Sequence, residues 1–218
     1  SNEGFTTDFD LPNSNAYCET CASVGMVIWN ERMNLLTGNA KYVDILEKSL
    51  YNGALDGLSL SGDRFFYGNP LASANNYQRS EWFGTACCPS NIARLVESLG
   101  NYIYASSAND IWVNLFVGSS TTIPLKSGKV ELKQETGYPW DDRVTLRIQD
   151  APGSEWTLRL RIPRWAEDAA LTVNGEPVVH VRPGTYLALR RRWTPGDTVE
   201  LTLPLHVLLQ WDDEGNDR

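Results

Sequence analysis

Histidine is nearly absent from this 218-residue chain: there are two, His180 and His206, both in the second half. So few leave little for a Ser–His nucleophile pair or a His-rich metal site. Basic charge is also scarce, with 19 Lys and Arg against 27 Asp and Glu and a net charge of -8. A general phosphate-backbone binder needs a basic surface, so nucleic acid is not an expected partner. No run approaches the roughly 20 apolar residues of a membrane span. No basic-then-apolar leader opens the chain, and no membrane partner is expected. Internal repeats and low-complexity tracts are missing too. What is present, 42% hydrophobic and 21% charged residues, suffices to bury a core in one large or two modest domains.

Cysteine is missing from everything after residue 88. The four that exist are Cys18, Cys21, Cys87 and Cys88, a C-x-x-C and a vicinal pair. A disulfide-stapled domain spreads its cysteines through its loops. This clustering points to metal or thiolate chemistry instead. The bland alternatives are a purely structural zinc site, or buried thiols acting as small apolar residues.

The hydrophobic period changes near residue 105. Before it, Ile92, Leu95, Val96, Leu99 and Ile103 form one helical face, as do Tyr42, Ile45, Leu46 and Leu50. A third helix is predicted over about residues 20–36, with Gly38 as its stop. Arg64-Phe-Phe-Tyr-Gly-Asn-Pro70 reads as a short strand or hairpin. After residue 105 the period is two: Val144, Leu146, Ile148; Trp156, Leu158, Leu160, Ile162; Val199, Leu201, Leu203. Asn174-Gly175 is a strong hairpin signal, and Pro-Gly turns punctuate the rest. Such short strands predict an antiparallel sandwich with one solvated face, to which the many Arg belong. Two domains are therefore expected, residues 1–104 and 105–218. Both ends read as cut from a longer protein. Three helices do not close a helical barrel, and residues 211–218 run out in acidic residues expected to fray.

Pro89 fits the first position of a helix, which makes Cys88 the expected N-cap with Cys87 just outside. Both sulfurs would then sit at the positive end of a helix dipole, which favours thiolate. Glu19 and Cys21, two residues apart, converge on one ion only at a helix start or an irregular turn. Two ligand sets follow from the spacing: all four Cys, or Glu19, Cys21, Cys87 and Cys88. A vicinal pair is awkward in a structural tetrathiolate site, so one of the two sulfurs is expected to have another task.

Tyr-x-Glu-Thr-Cys-Ala at residues 17–22, with Cys-Cys-Pro-x-Asn-x-x-Arg at residues 87–94, resembles the β-L-arabinofuranosidase family of retaining glycoside hydrolases. Asn2-Glu-Gly-Phe-Thr, Asp10-Leu-Pro-Asn13, Leu50-Tyr-Asn-Gly53, Phe66-Tyr-Gly-Asn-Pro70 and Leu171-Thr-Val-Asn-Gly175 look like the same family. The resemblance implies an α+β multidomain fold: the C-terminal part of an (α/α)6 barrel followed by an antiparallel β-sandwich. It implies a Zn2+ cofactor bound by Glu19, Cys21, Cys87 and Cys88, with Cys18 at a variable position outside the metal set. It also implies Cys87 as nucleophile, Glu3 as general acid/base, and Tyr67 as a substrate-binding tyrosine close to the nucleophile. The family's sugar-contacting histidines have no match here. The implied substrate is an arabinofuranosyl oligosaccharide or glycoconjugate, cleaved with retention through a thioglycosyl-enzyme.

Outside that resemblance, Glu3 is an ordinary solvated Glu, Tyr67 a cross-strand aromatic and Trp140 a loop anchor as readily as a sugar platform. Glu47 reads as structural, paired with a neighbouring Lys or Arg, and Arg94 as a surface or capping residue. The competing functions are a zinc-stabilised, non-catalytic carbohydrate-binding fragment and a redox protein using the Cys87–Cys88 pair. Reduced thiols suit a cytoplasmic location. Apolar surface left by an incomplete helical layer predicts self-association.

Overall fold

The structure is a computed structural model that describes Gly4, Pro12, residues 16–73 and 76–207, and Leu209. Glu3 and residues 211–218 lie outside the described residues. Helix α1 runs Thr20–Thr37 and ends where Gly38 turns left-handed (φ 65), its N–H closing on Asn34 O at 2.7 Å. Helix α2, Ala40–Ser49, is capped by Asn39, whose side chain accepts from the Lys41 N–H at 3.0 Å. The chain then continues through a π-helical turn, Leu50–Ala54, and a 3-10 turn, Leu55–Gly57. Helices α3 (Cys87–Ser98) and α4 (Gly100–Ile103) follow.

The face that α2 buries is the expected one only at Leu46 and Leu50. Ala40, Val43, Leu46 and Glu47 point inward, with Leu50 just beyond, while Tyr42 is only partly covered and Ile45 is exposed. The inward face includes Glu47, which has a buried partner described below. The segment around residues 64–70 is not a full strand. Phe65 exchanges two backbone hydrogen bonds with Ser80, and Gly68 bridges to Glu19.

Ten strands follow: β1 (Tyr104–Ser106), β2 (Asp110–Val113), β3 (Ser119–Leu125), β4 (Gly128–Thr136), β5 (Arg143–Asp150), β6 (Glu155–Ile162), β7 (Ala170–Val173), β8 (Glu176–Pro177), β9 (Thr185–Arg192) and β10 (Thr198–Thr202). They form two sheets, β1-β2-β6-β9 and β3-β4-β5-β10-β7-β8. The fold is thus α+β, with helices up to Ile103 and strands from Tyr104 onward. The expectation of purely antiparallel pairing is corrected at one place: β2 and β6 are parallel, Ile111 opposite Leu158. The long connection through three strands of the other sheet permits this. At the β7–β8 turn, Asn174 (φ 52) and Gly175 (φ 83) take the two left-handed conformations that the Asn-Gly pair signals.

One apolar cluster joins both sheets. Ile111, Val113, Leu158 and Leu160 of the smaller meet Leu132, Leu146, Val199 and Leu201 of the larger. The helices hold a second cluster, Val24, Val27, Val43, Leu46, Leu50, Ile92 and Leu95, which extends to Leu115 and Tyr186. Between them lies Arg161 of β6. The alternation of β6 places it on the face away from the inter-sheet core, yet it is fully buried, against the expectation that strand arginines are solvated. Helix α2 covers that face and supplies Asp44 and Glu47 as partners, at 2.8 and 2.6 Å. Arg161 Nε donates to Asn114 O at 2.7 Å. Tyr186, opposite Arg161 on β9, donates to Asn114 Oδ1 and accepts from Asn34 of α1 at 3.0 Å.

Candidate metal centre

Two helix N-termini meet at one point. Glu19 is the N-cap of α1, in extended conformation (φ -76, ψ 135), and its side chain makes no capping bond. Its carboxylate is therefore free to turn outward while Cys21 sits in the first turn. Residues two apart converge here because the first lies outside the helix, as their spacing requires. Helix α3 begins at Cys87, with Ala86 as N-cap, so both sulfurs lie inside the first turn. This corrects the expected cap at Cys88. Pro89 is tolerated at the third position because its missing N–H is one that has no intrahelical partner.

Residues 66–69 hold α1 in place. Thr20 N donates to Tyr67 O at 2.9 Å, Asn69 N to Cys18 O at 2.8 Å, and Thr20 Oγ1 to Phe66 O at 2.9 Å. Tyr67 thus has its main chain at the site, its carbonyl 3.7 Å from Cys88 Sγ, and its ring edge-on to Phe83.

One ligand atom each from Glu19, Cys21, Cys87 and Cys88 lies within 4.8 Å of the others. Cys21 and Cys88 sulfurs are 3.3 Å apart, Cys87 and Cys88 3.7 Å, and Glu19 Oε1 is 3.6 Å from Cys87 and 3.9 Å from Cys88. A tetrahedral zinc ion spaces two sulfurs by about 3.8 Å and a sulfur and a carboxylate oxygen by about 3.5 Å. The four donors therefore fit that ion in kind and come within about half an ångström of its spacing where sulfur pairs and Glu19 Oε1 are in contact. Cys18 stays outside the group, so of the two ligand sets the geometry assembles the one containing Glu19. Among the described residues all four cysteines are free thiols.

Burial, then crowding by Cys21 and Cys87, pushes the Cys88 thiol far above the ordinary range. Burial also raises Cys21, against the hydrogen bond from Asn91. At Cys88 desolvation opposes the thiolate character expected from the helix end. A dication is the charge that lets such a set ionise together.

Two residues outside the expected ligand set join the centre. Asn91 Nδ2 donates to Cys21 Sγ at 3.0 Å, and Arg94 donates to Asn91 Oδ1. Arg94 is the surface residue expected, and its guanidinium also partners Asn91. The helical spacing from Cys87 and Cys88 to Asn91 and Arg94 was the available signal. Trp140 is 89% exposed, so it does not anchor its loop. No helix is long and apolar enough to cross a membrane among the described residues.

Residues 1–101 match the family described as β-L-arabinofuranosidase, GH127 catalytic domain, and residues 110–205 its GH127 middle domain. A non-reducing end β-L-arabinofuranosidase of Bifidobacterium longum subsp. longum is 36% identical over 96% of the chain and 34% of its own length. The solved structure of a GH127 β-L-arabinofuranosidase from Geobacillus stearothermophilus T6 aligns with a TM-score of 0.88 and 42% identity, covering 95% of this chain and 35% of that one. A GH127 β-arabinofuranosidase structure gives 0.87 and 40%, over 92% of this chain and 34% of that one. The chain spans about a third of the length of the relatives it matches.

Proposed function

Because the chain belongs to the GH127 β-L-arabinofuranosidase family, we propose that it carries the thiol centre of a retaining glycoside hydrolase that removes terminal β-L-arabinofuranosyl residues. The observation that supports this reading is the convergence of one ligand atom each from Glu19, Cys21, Cys87 and Cys88 to within 4.8 Å of one another. In the same reading the helices belong to an (α/α)6 barrel, the two sheets form a sandwich, and the two parts divide at residues 104 and 105.

Glu19, Cys21, Cys87 and Cys88 would hold a zinc ion, which supplies the positive charge that keeps the sulfurs ionised. Cys87 is the attacker: its residue is half-buried, whereas Cys88 is fully buried. Its sulfur displaces the leaving oxygen at the anomeric carbon while Glu3 protonates that oxygen, leaving the sugar bonded to Cys87 Sγ. Glu3, now a carboxylate, takes a proton from water. The water oxygen bonds to the anomeric carbon and the sulfur leaves, so two inversions give net retention. Tyr67 lines the sugar site beside the sulfurs.

The test is hydrolysis of an aryl β-L-arabinofuranoside by the full-length protein. Cys87→Ala should abolish turnover, and mass spectrometry of the wild type with a slow substrate should find one pentosyl adduct on Cys87. Hydrolysis by the Cys87→Ala protein at the wild-type rate rejects the role. Zinc without any hydrolysis by the wild type favours a carbohydrate-binding protein instead.

A further inference from the structure

The three sulfurs of the centre have different surroundings. Cys88 is buried, with the Cys21 sulfur at 3.3 Å and the Tyr67 carbonyl at 3.7 Å. Cys87 lies beside the Glu19 carboxylate at 3.6 Å and the Cys88 sulfur at 3.7 Å. Cys21 receives the Asn91 amide at 3.0 Å. That amide is held from behind, since Arg94 donates to its oxygen. A guanidinium has only donors, so the amide oxygen must face Arg94 and the NH2 group must face the sulfur. Turned over, the amide would set its oxygen against the sulfur lone pairs and its N–H groups against the guanidinium.

This orientation matters for charge. Three thiolates and a carboxylate carry four negative charges against the two positive charges of a zinc ion. A hydrogen bond donated to a thiolate draws electron density from the sulfur and fixes its direction, as partners of metal ligands generally do. We propose that Asn91, oriented by Arg94, is a positioning residue that keeps Cys21 a spectator ligand. The amide takes up part of the excess charge on Cys21 and leaves Cys87 the more electron-rich sulfur. This role rests on the metal-centre reading above and extends it to residues that bind neither metal nor sugar.

The test uses the chain with zinc and with cobalt in its place. Metal content is counted first: a wild-type chain that binds neither ion overturns the centre and this role together. With one metal per chain, Asn91→Leu should release zinc to a chelator about 10- to 100-fold faster. It should also move the thiolate-to-cobalt charge-transfer band to longer wavelength, since an unrelieved thiolate gives up its electrons more readily. Arg94→Ala, at an exposed position, should shift both in the same direction by less, and the double variant should match Asn91→Leu. Asn91→Leu with one metal per chain and the wild-type rate and band overturns the proposal while leaving the centre standing. Full additivity of the two substitutions overturns the part assigned to Arg94. If Asn91→Leu does not fold, Arg94→Ala decides alone: a shifted band supports the role and an unchanged one rejects it.

Discussion

Arg161 Nη2 stands 2.6 Å from Glu47 Oε1, joining the first sheet to α2 across 114 residues of chain in a place water does not reach. Burial opposes charge on this guanidinium, but Glu47 and Asp44 outweigh it and hold Arg161 protonated. Removing one partner strands the others. Arg161→Met should lower stability by about 3–5 kcal/mol, seen as a shift in the denaturant midpoint. Pairing it with Glu47→Leu should recover part of the loss. Equal midpoints for wild type and Arg161→Met would show that helices and sheets do not depend on this pair.

Asp197 gives a pH dependence of known sign. Burial pushes its carboxyl up, but the Thr194 N–H at 2.9 Å, the Asn174 amide at 2.8 Å and Arg191 pull it below the usual range. A depressed carboxylate stabilises the fold above its unfolded value near 3.9, and that contribution fades as pH falls toward the folded value. Asp197→Asn should therefore cost about 1–3 kcal/mol at neutral pH. The gap to wild type should close as pH drops below about 4. A gap that stays constant from pH 7 to pH 2.5 contradicts this account.

Gly57 is where the fold leaves no room beside the Glu19 and cysteine cluster. A Cβ there would lie 2.7 Å from Thr20 Oγ1 and 2.8 Å from its Cγ2. Thr20 is buried between Glu19 and Cys21 and bonded to Phe66 and Asn69. Gly57→Ala should cost about 1–3 kcal/mol by overpacking. It should also lower zinc retention measured by chelator competition. Retention at the wild-type level would mean that the first turn of α1 can shift without moving its ligands.

Helix α1 presents Trp29, 63% exposed, and Leu36, 78% exposed, with Met26, Ile28 and Leu35. Apolar side chains in such number on one helix favour association. The chain should sediment as an oligomer at micromolar concentration, and Trp29→Glu with Leu36→Glu should shift it toward monomer. A monomeric wild type removes this expectation.

Local pattern determined much of this protein. Period 3.6 marked α2 and α3, period two marked β5, β6 and β10, Gly38 marked the end of α1, and Asn174-Gly175 marked a hairpin, because each is set by neighbours a few residues apart. The thiol ligands were legible too, since the chain's four cysteines all lie before residue 89 in a C-x-x-C and a vicinal pair. Tertiary structure decided the rest. It brought Glu19 within 3.6 Å of Cys87, 68 residues away, and left Cys18 outside. It turned Arg161 from a residue expected to face solvent into the buried tie between sheet and helices, set Glu47 of α2 against it, and laid β2 parallel to β6. Periodicity says which side of an element is apolar; it does not say what will cover the other side, and a covered polar side must find its partners wherever the chain returns.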